Sequence, residues 1–451
     1  MSMSPGGFAS GNGNGDGDGD GTEETVETTG RYVVTFSDEI HGDAAAQAEA
    51  LRSLTGTQSI ASTQDFDAGG LNLEDVSTAD AIVYAELGVA VIGGGGEADG
   101  AGVSMLETAA ADPRILAIEP ELVMHAIDES GSVMTVDYLR GYRDAASHLF
   151  DLTGAMSEGI EALIASAYAD NAQFTWGLQA TGVSTSPRRG TGIKLAVLDT
   201  GLDLHHPDFA GRSITSQSFV AGESVQDGHG HGTHCIGTSC GPRTPLGSRR
   251  YGIAFEAQIF AGKVLGNAGS GGDSNILAGI DWAVRNGCKV ISMSLGADVR
   301  WASTAYETAG RRALDAGSLI VAAAGNNADR PGHKGFVGVP ANAKSIMAVG
   351  ALDPRLGIAP FSARSNIFAS GGQVDIAAPG VDVYSTAPMP KRSAIHSGTS
   401  MATPHVAGIA ALWATAGGGS GATLWSTLVR TARRLSLPSS DVGAGLARAP
   451  Q

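Results

Sequence analysis

The sequence predicts a three-layer α/β/α domain on a mainly parallel sheet, preceded by a small α+β unit. Three observations point there. From about Asn171 onward, short continuous apolar runs alternate with amphipathic helical stretches, the pattern of parallel strands buried on both faces. Residues 31–126 run instead in the order β-α-β-β-α-β, the split βαβ arrangement. The chain's 451 residues, 42% of them hydrophobic, are too many for one minimal domain and apolar enough for a sizeable core.

Residues 1–30 are mostly Gly, Asn, Asp, Glu and Thr, with almost nothing to bury, and are expected to form a disordered acidic tail. The run GNGNGDGDGDG faintly matches a calcium-binding repeat, but one unrepeated copy cannot stack into a β-helix. RYVVTF (31–36) alternates and is rich in β-branched and aromatic residues, which predicts a strand. DAAAQAEALRSL (43–54) carries good helix formers. AIVYAELGVAVI (81–92) reads as two strands meeting at Gly88, and VSMLETAAA (103–111) as a helix. ILAIEPELVMHA (115–126) reads as a last strand broken by Pro120. Residues 127–170 form a polar bridge with one or two amphipathic helices, since Tyr138, Leu139 and Tyr142, then Ile160, Leu163 and Ile164, fall at helical spacing. In the third part, 171–451, strands are predicted at 193–199, 258–265, 288–295, 318–325 and 345–351, with helices at 273–286 and 303–316.

Charge and cysteine count narrow the class of function. The formal charge of −17 argues against nucleic acid or an anionic membrane as the main partner. No run approaches the roughly 20 apolar residues of a membrane helix. The N-terminus shows no basic segment followed by an apolar one. A cytoplasmic protein, or one exported by another route, is therefore expected, unless a removed signal once preceded this chain. Cys235, Cys240 and Cys288 permit one disulfide at most.

Three segments place a reactive side chain among small residues. LAVLDTG puts Asp199 at the C-terminal end of a buried strand, where such sheets keep their sites. DGHGHGTHC flanks His231 with Gly230 and Gly232 at the head of a helix. HSGTSMATPHVAG places Ser400 after Gly398 and Thr399 at the head of another, where backbone N–H groups favour a developing negative charge. Taken singly, an Asp at a strand end can be a turn cap and a Ser before a helix an N-cap. Together, in the order Asp, His, Ser, they suit nucleophilic catalysis, with a neutral histidine taking the serine proton.

VLDTG, HGTHC and GTSMATPHVAG resemble the three active-site motifs of the subtilisin-like serine proteases, the subtilases. The resemblance runs through GIDWAVRNGCKVISMSLG, VAAAGNN and VDIAAPGVDVYST and covers about residues 171–447. It implies a subtilisin-like fold and a serine endopeptidase that works through an acyl-enzyme. Asp199 is then the orienting acid, His231 the base and acid, Ser400 the nucleophile and Asn326 the side-chain donor of an oxyanion hole. It further implies that peptide pairs against Ser294–Gly296 and Gly269–Gly271. An S1 pocket would be lined by Ser294, Leu295, Gly296, Ala323, Ala324, Gly325 and, at its base, Gly338, roomy enough for large apolar or aromatic P1 residues.

A zinc reading of His229, His231, His234 and Cys235 lacks an HExxH and leaves the other two motifs without a role. His234 is expected to be a packed helix residue and His229 a loop residue. Cys235 falls beneath the catalytic histidine by the resemblance, as either a reactive or an inert buried thiol. No cofactor is implied for the chemistry, but structural calcium is. Asp375 matches a cation ligand that acts with the carbonyls of Ala341 and Ala343, beside a cis Val339–Pro340. Asp208 matches a second calcium ligand, but GPRTPLGSRRY supplies no Asn or Asp to complete that site. It is either lost, with Arg249 and Arg250 substituting their charge, or retained.

Residues 31–126 resemble the ferredoxin-like inhibitory propeptide of the same family, which covers surface helices and sends the following segment into the cleft. A zymogen cleaved within 127–172, near Tyr168–Asn171 by its distance from Asp199, is the expectation; the bridge is then excised or retained. The partners implied are a polypeptide substrate and the chain's own propeptide, on a monomer. A dedicated processing protease and a catalytically silent binding module on the same fold are the alternatives.

Overall fold

A computed structural model describes residues 26–66, 79–93, 112–127, 168–366 and 371–451. Of the tail expected over residues 1–30, residues 1–25 lie outside the described residues, as do the helix expected at 103–111 and the bridge helices within 128–167; the tail expectation fails at its end, because Thr28–Gly30 already pair as the start of the first strand.

Among the described residues the small unit has five strands, β1 (Thr28–Phe36), β2 (Ile60–Ser62), β3 (Ala81–Tyr84), β4 (Val89–Ile92) and β5 (Ile115–Ala126). They lie in the order β5-β1-β4-β3-β2, antiparallel except for β2 beside β3. Side chains alternate along them. Val34, Phe36, Ala81 and Val83 pack on Leu51 and Leu54 of α1 (Ala44–Thr55). Val33, Ile82, Tyr84, Val89 and Val91 face the larger unit and share its core. β5 continues past Pro120, which stands opposite Tyr32, but its pairing with β1 slips in register just beyond, the next pair being Leu122 opposite Thr28. Leu122, on the same edge, sends its N–H away from β1 to Asp273. The Pro120 nitrogen faces that outer edge too, so no ladder bond is lost.

In the larger unit, a parallel sheet has the order β14-β13-β12-β10-β6-β8-β7. Its strands are β6 (Lys194–Asp199), β7 (Ile214–Ser218), β8 (Gln258–Lys263), β10 (Val290–Met293), β12 (Leu319–Ala323), β13 (Met347–Leu352) and β14 (Ile376–Pro379). Two short strands outside it, β9 (Ser270–Gly272) and β11 (Leu295–Gly296), border the cleft, and β15 (Val383–Thr386) pairs with β16 (Ser393–His396). Leu195 and Val197 pack with Ile236, Met401 and Ile409 on one face. Ala196 and Leu198 pack with Phe260, Trp282 and Ile291 on the other. The first face carries α3 (His231–Cys240) and α6 (Thr399–Thr415), the second α4 (Asp273–Arg285) and α5 (Thr304–Asp315). Short α2 (Trp176–Ala180), then α7 (Gly421–Thr431) and α8 (Ser439–Val442), complete the helices of the described residues. No helix among them is long and apolar enough to cross a membrane.

Carboxylates join the units at helix starts, where they complement the dipole and free N–H groups. Glu119 accepts from the Thr304 and Ala305 N–H groups and the Ser303 hydroxyl at the head of α5. Glu121 accepts the Ser274 N–H at 2.8 Å at the head of α4, and pairs with Arg31 and the Thr29 hydroxyl.

Candidate active site

β6 ends at Asp199, and β8 beside it fixes how far that carboxylate projects. The head of α3 closes on it. Gly232 is required there, because a Cβ would lie 2.3 Å from the Gly201 carbonyl oxygen. Asp227 caps this helix start, one oxygen accepting the His229 and Gly230 N–H groups and the other the Thr233 N–H and hydroxyl. So anchored, His231 brings Nδ1 to 2.7 Å from Asp199 Oδ1, both side chains buried. Burial alone would push the imidazole down; the Asp199 carboxylate more than offsets it, and the ring holds its proton well above the usual histidine range. Nε2, the other ring nitrogen, has no hydrogen-bond partner.

Ser400 lies in the first turn of α6, fully buried. Its hydroxyl donates to the Ser294 carbonyl at 3.1 Å, and the Ser294 hydroxyl donates to the Ser400 carbonyl at 2.8 Å. Cys235 ties Ser400 to His231, since its Sγ lies 3.6 Å from the Ser400 carbonyl oxygen and 3.9 Å from His231 Nδ1. The Asp199–His231 bond is thus formed, while the serine hydroxyl is turned toward Ser294. Rotation about one side-chain bond separates it from other partners.

The cleft between β9 and β11 holds the chain's own backbone. Val123, Met124 and His125 pair with Gly272, Gly271 and Ser270 on one side; His125 and Ala126 pair with Gly296 and Leu295 on the other. Ala126 N–H reaches the Gly269 carbonyl at 2.9 Å, and Ile127 N–H the Ser294 carbonyl at 3.2 Å. Asn326 Nδ2 donates to the Ile127 carbonyl at 3.4 Å. Ile127 therefore presents its carbonyl where the sequence places an oxyanion donor. Its side chain lies on Gly296, where a Cβ would sit 2.9 Å from Ile127 Cδ1. Ala323, Ala324 and Gly338 are buried, Gly338 donating its N–H to the Ala324 carbonyl, and Gly325 donates its N–H to the Thr399 hydroxyl.

His234 does not join a metal cluster. Its Nε2 meets the Val383 carbonyl at 3.0 Å, its ring packs edge-on to His396, and burial holds it well below the usual range. Among the described residues Asp199, His231 and Cys235 do converge. Burial pushes the Cys235 thiol up, and His231 Nδ1 is already engaged with Asp199 at 2.7 Å. All three cysteines are free and buried.

The calcium expectations divide. Asp375 is half-buried, accepts the Ala348 N–H at 2.8 Å and has no basic partner among the described residues; desolvation pushes its carboxyl up to about 7. A carboxylate without a basic partner is the kind of oxygen donor a hard cation takes; Val339–Pro340 is cis, and the Ala343 carbonyl accepts the Ile346 N–H. Asp208 does not fit one. Its oxygens already face Arg392 Nη2 at 3.2 Å, the Tyr251 hydroxyl at 2.6 Å and the Leu246 N–H. The charge comes from Arg392 rather than Arg249 or Arg250: Arg249 pairs with Asp170 and Arg250 bonds the Gly252 and Ile253 carbonyls. That correction follows from β16, which begins just after Arg392 and is remote in sequence from the Asp208 loop.

Sequence reasoning did not find Arg392 or the part played by Thr399, which orients Asn326 by giving its N–H and hydroxyl to Oδ1. Thr399 was visible within GTS as a neighbour of Ser400; Arg392 had no signal.

Comparison with known proteins agrees with this geometry. Residues 190–445 match the model of the subtilase family. The chain is 41% identical over 236 residues to subtilisin DY of Bacillus licheniformis, covering 52% of this chain and 81% of the relative. It is 43% identical over 241 residues to subtilisin Savinase of Lederbergia lenta, covering 52% and 82%. Subtilisin E of Bacillus subtilis (strain 168) is 40% identical over 237 residues, covering 52% and 58%. The chain belongs to the subtilase family, and is a subtilisin-like serine endopeptidase, a hydrolase.

Proposed function

We propose that this endopeptidase is made as a self-inhibited zymogen that cuts its own Ile127–Asp128 bond and then retains residues 31–127 as an inhibitor. The observation that carries this reading is the Ile127 carbonyl at Asn326, with the preceding residues paired between β9 and β11. In the proposed reaction Ser400 Oγ turns from the Ser294 carbonyl to Nε2 of His231, which takes its proton as the C–O bond forms. Asn326 Nδ2 meets the negative charge that develops on the carbonyl oxygen. The imidazolium, steadied by Asp199, gives its proton to the departing amine of Asp128. Water then hydrolyses the acyl-enzyme by the same route and regenerates Ser400.

Residues Tyr168–Asn171 support a later cut rather than the first. Tyr168 N–H bonds the Pro354 carbonyl and Asp170 accepts the Trp176 N–H at 2.7 Å, so this stretch is tied elsewhere on the larger unit. The apolar slot around Ile127 favours large apolar P1 residues. Calcium, if bound at Asp375, would steady the loop from Val339 and takes no part in the chemistry. The test is expression of wild type beside Ser400→Ala. Wild type should yield a fragment beginning at Asp128 and label with a fluorophosphonate; Ser400→Ala should stay intact and unlabelled. Identical masses would refute the self-processing, and failure to label would refute the assigned nucleophile.

A further inference from the structure

Away from the peptide cleft, a second cleft of about 530 Å³ opens between the segment 172–189 and the loop that follows α3. Helix α3, roughly 15 Å long at ten residues, carries His231 at its start and leads to this cleft from its end. Three arginines, Arg189, Arg243 and Arg250, line the cleft with the hydroxyls of Ser184 and Thr244 and the ring of Phe255.

Arg250 is buried, its guanidinium 4.6 Å over the Phe255 ring, with two nitrogens on the Gly252 and Ile253 carbonyls. Arg243 stands over the same ring at 5.9 Å. Neither lies within ion-pair distance of a carboxylate among the described residues, though the charge of Arg243 also acts on Glu256. Glu256 pairs instead with Arg189 at 3.0 Å and takes the Thr191 hydroxyl at 2.6 Å. Burial, and then the charge of Arg243, push Arg250 down to about 10. A cation taken out of water beside another needs a compensating anion. This cationic pocket lies on a chain whose net charge is −17, which would repel an extended polyanion but admit a small one.

We propose that this cleft binds a compact, multiply charged oxyanion of the phosphate type, held by Arg189, Arg243 and Arg250. Guanidinium forks match the tetrahedral oxygens of such an ion. Bound there, it would bridge the segment 172–189 to the end of the helix that carries His231.

Isothermal titration of the full-length Ser400→Ala chain with sodium phosphate and with pyrophosphate, at fixed ionic strength, tests this. Saturable binding is expected, weakened roughly tenfold or more by Arg243→Gln and by Arg189→Gln. Arg243 is exposed and Arg434 does not line the cleft, so Arg434→Gln serves as the control and should leave the isotherm unchanged. The absence of saturable heat with either anion would overturn the site. So would isotherms unchanged in both cleft variants, or weakened equally by the control.

Discussion

Thr399 orients Asn326. The Asn326 Oδ1 accepts both the N–H and the hydroxyl of Thr399 at 2.9 Å, which leaves Nδ2 facing the Ile127 carbonyl at 3.4 Å. An amide whose oxygen is doubly held cannot flip, so its donor is set before any charge develops. Asn326→Ala should therefore lower kcat far more than it raises KM. The expected loss, roughly 10²- to 10³-fold, is the figure known for the matching donor in subtilisin, and is carried over from there. Thr399→Val keeps the N–H bond and should cost less, roughly tenfold or under. Steady-state kinetics on a chromogenic peptide distinguish the two; equal loss in KM and none in kcat would remove Asn326 from the oxyanion.

The His231 proton sets an acid limb. Its folded-state affinity for a proton is raised by Asp199 against the downward pull of burial. Any stability gained from the charged pair is therefore present below the unfolded value and lost as pH rises through the folded one. Activity runs the other way, because only the neutral ring can accept the Ser400 proton. The rate should fall as pH drops, with its midpoint above the ordinary histidine value. Asp199→Asn should lower kcat and move that midpoint down, as a pH profile of kcat/KM would show. A midpoint unmoved by the substitution would mean that another group titrates.

Much of this was legible in the sequence because strong local patterns carried it. Apolar runs such as KLAVLD and VISM sit in the middle of a sheet, and glycine-flanked Asp199, His231 and Ser400 follow strands or open helices. The sheet's edges were less visible. β7 is ITSQS and β14 IAAP, one polar and one too short to show a period. Pro120 misled because a breaker's effect depends on which edge its nitrogen faces. Pairings between distant segments, Arg392 with Asp208 or Glu119 with Ser303, leave no local trace at all.

Glu119 predicts how tightly the small unit holds. It satisfies two backbone N–H groups and a hydroxyl at the head of α5, and a carboxylate there is worth about 0.3–1 kcal/mol, up to about 2 when partly buried. Glu119→Ala in the full chain should therefore speed appearance of protease activity after self-cleavage, by a factor of roughly 2 to 30. The matching change at an exposed acid that touches nothing in the larger unit, Glu49→Ala, should leave the lag unchanged. Progress curves with a fluorogenic peptide measure both. A lag insensitive to Glu119→Ala would show that the helix-capping contact does not govern release.

Arg392 gives the last prediction, about metal dependence. Its residue sits at φ +67°, a left-handed conformation that costs a non-glycine residue about 1–2 kcal/mol. The ion pair with buried Asp208, and the bond to the Leu246 carbonyl at 2.7 Å, offset that cost. A guanidinium already fills the position of positive charge, so chelation should not unfold this corner. Urea denaturation of the Ser400→Ala, Asp375→Asn chain should give the same midpoint with and without EDTA. Arg392→Ala leaves Asp208 with the Tyr251 hydroxyl and the Leu246 N–H but no cation, and should destabilise by about 1–3 kcal/mol. Arg392→Gly relieves the backbone strain while losing the same pair, and should fall between the two. If added calcium restored Arg392→Ala to the wild-type midpoint, Asp208 would have kept a metal site that arginine merely occupies. If EDTA lowered the midpoint of Arg392-intact protein but not that of its Asp375→Asn variant, the dependence would belong to Asp375 and leave the Asp208 corner metal-free.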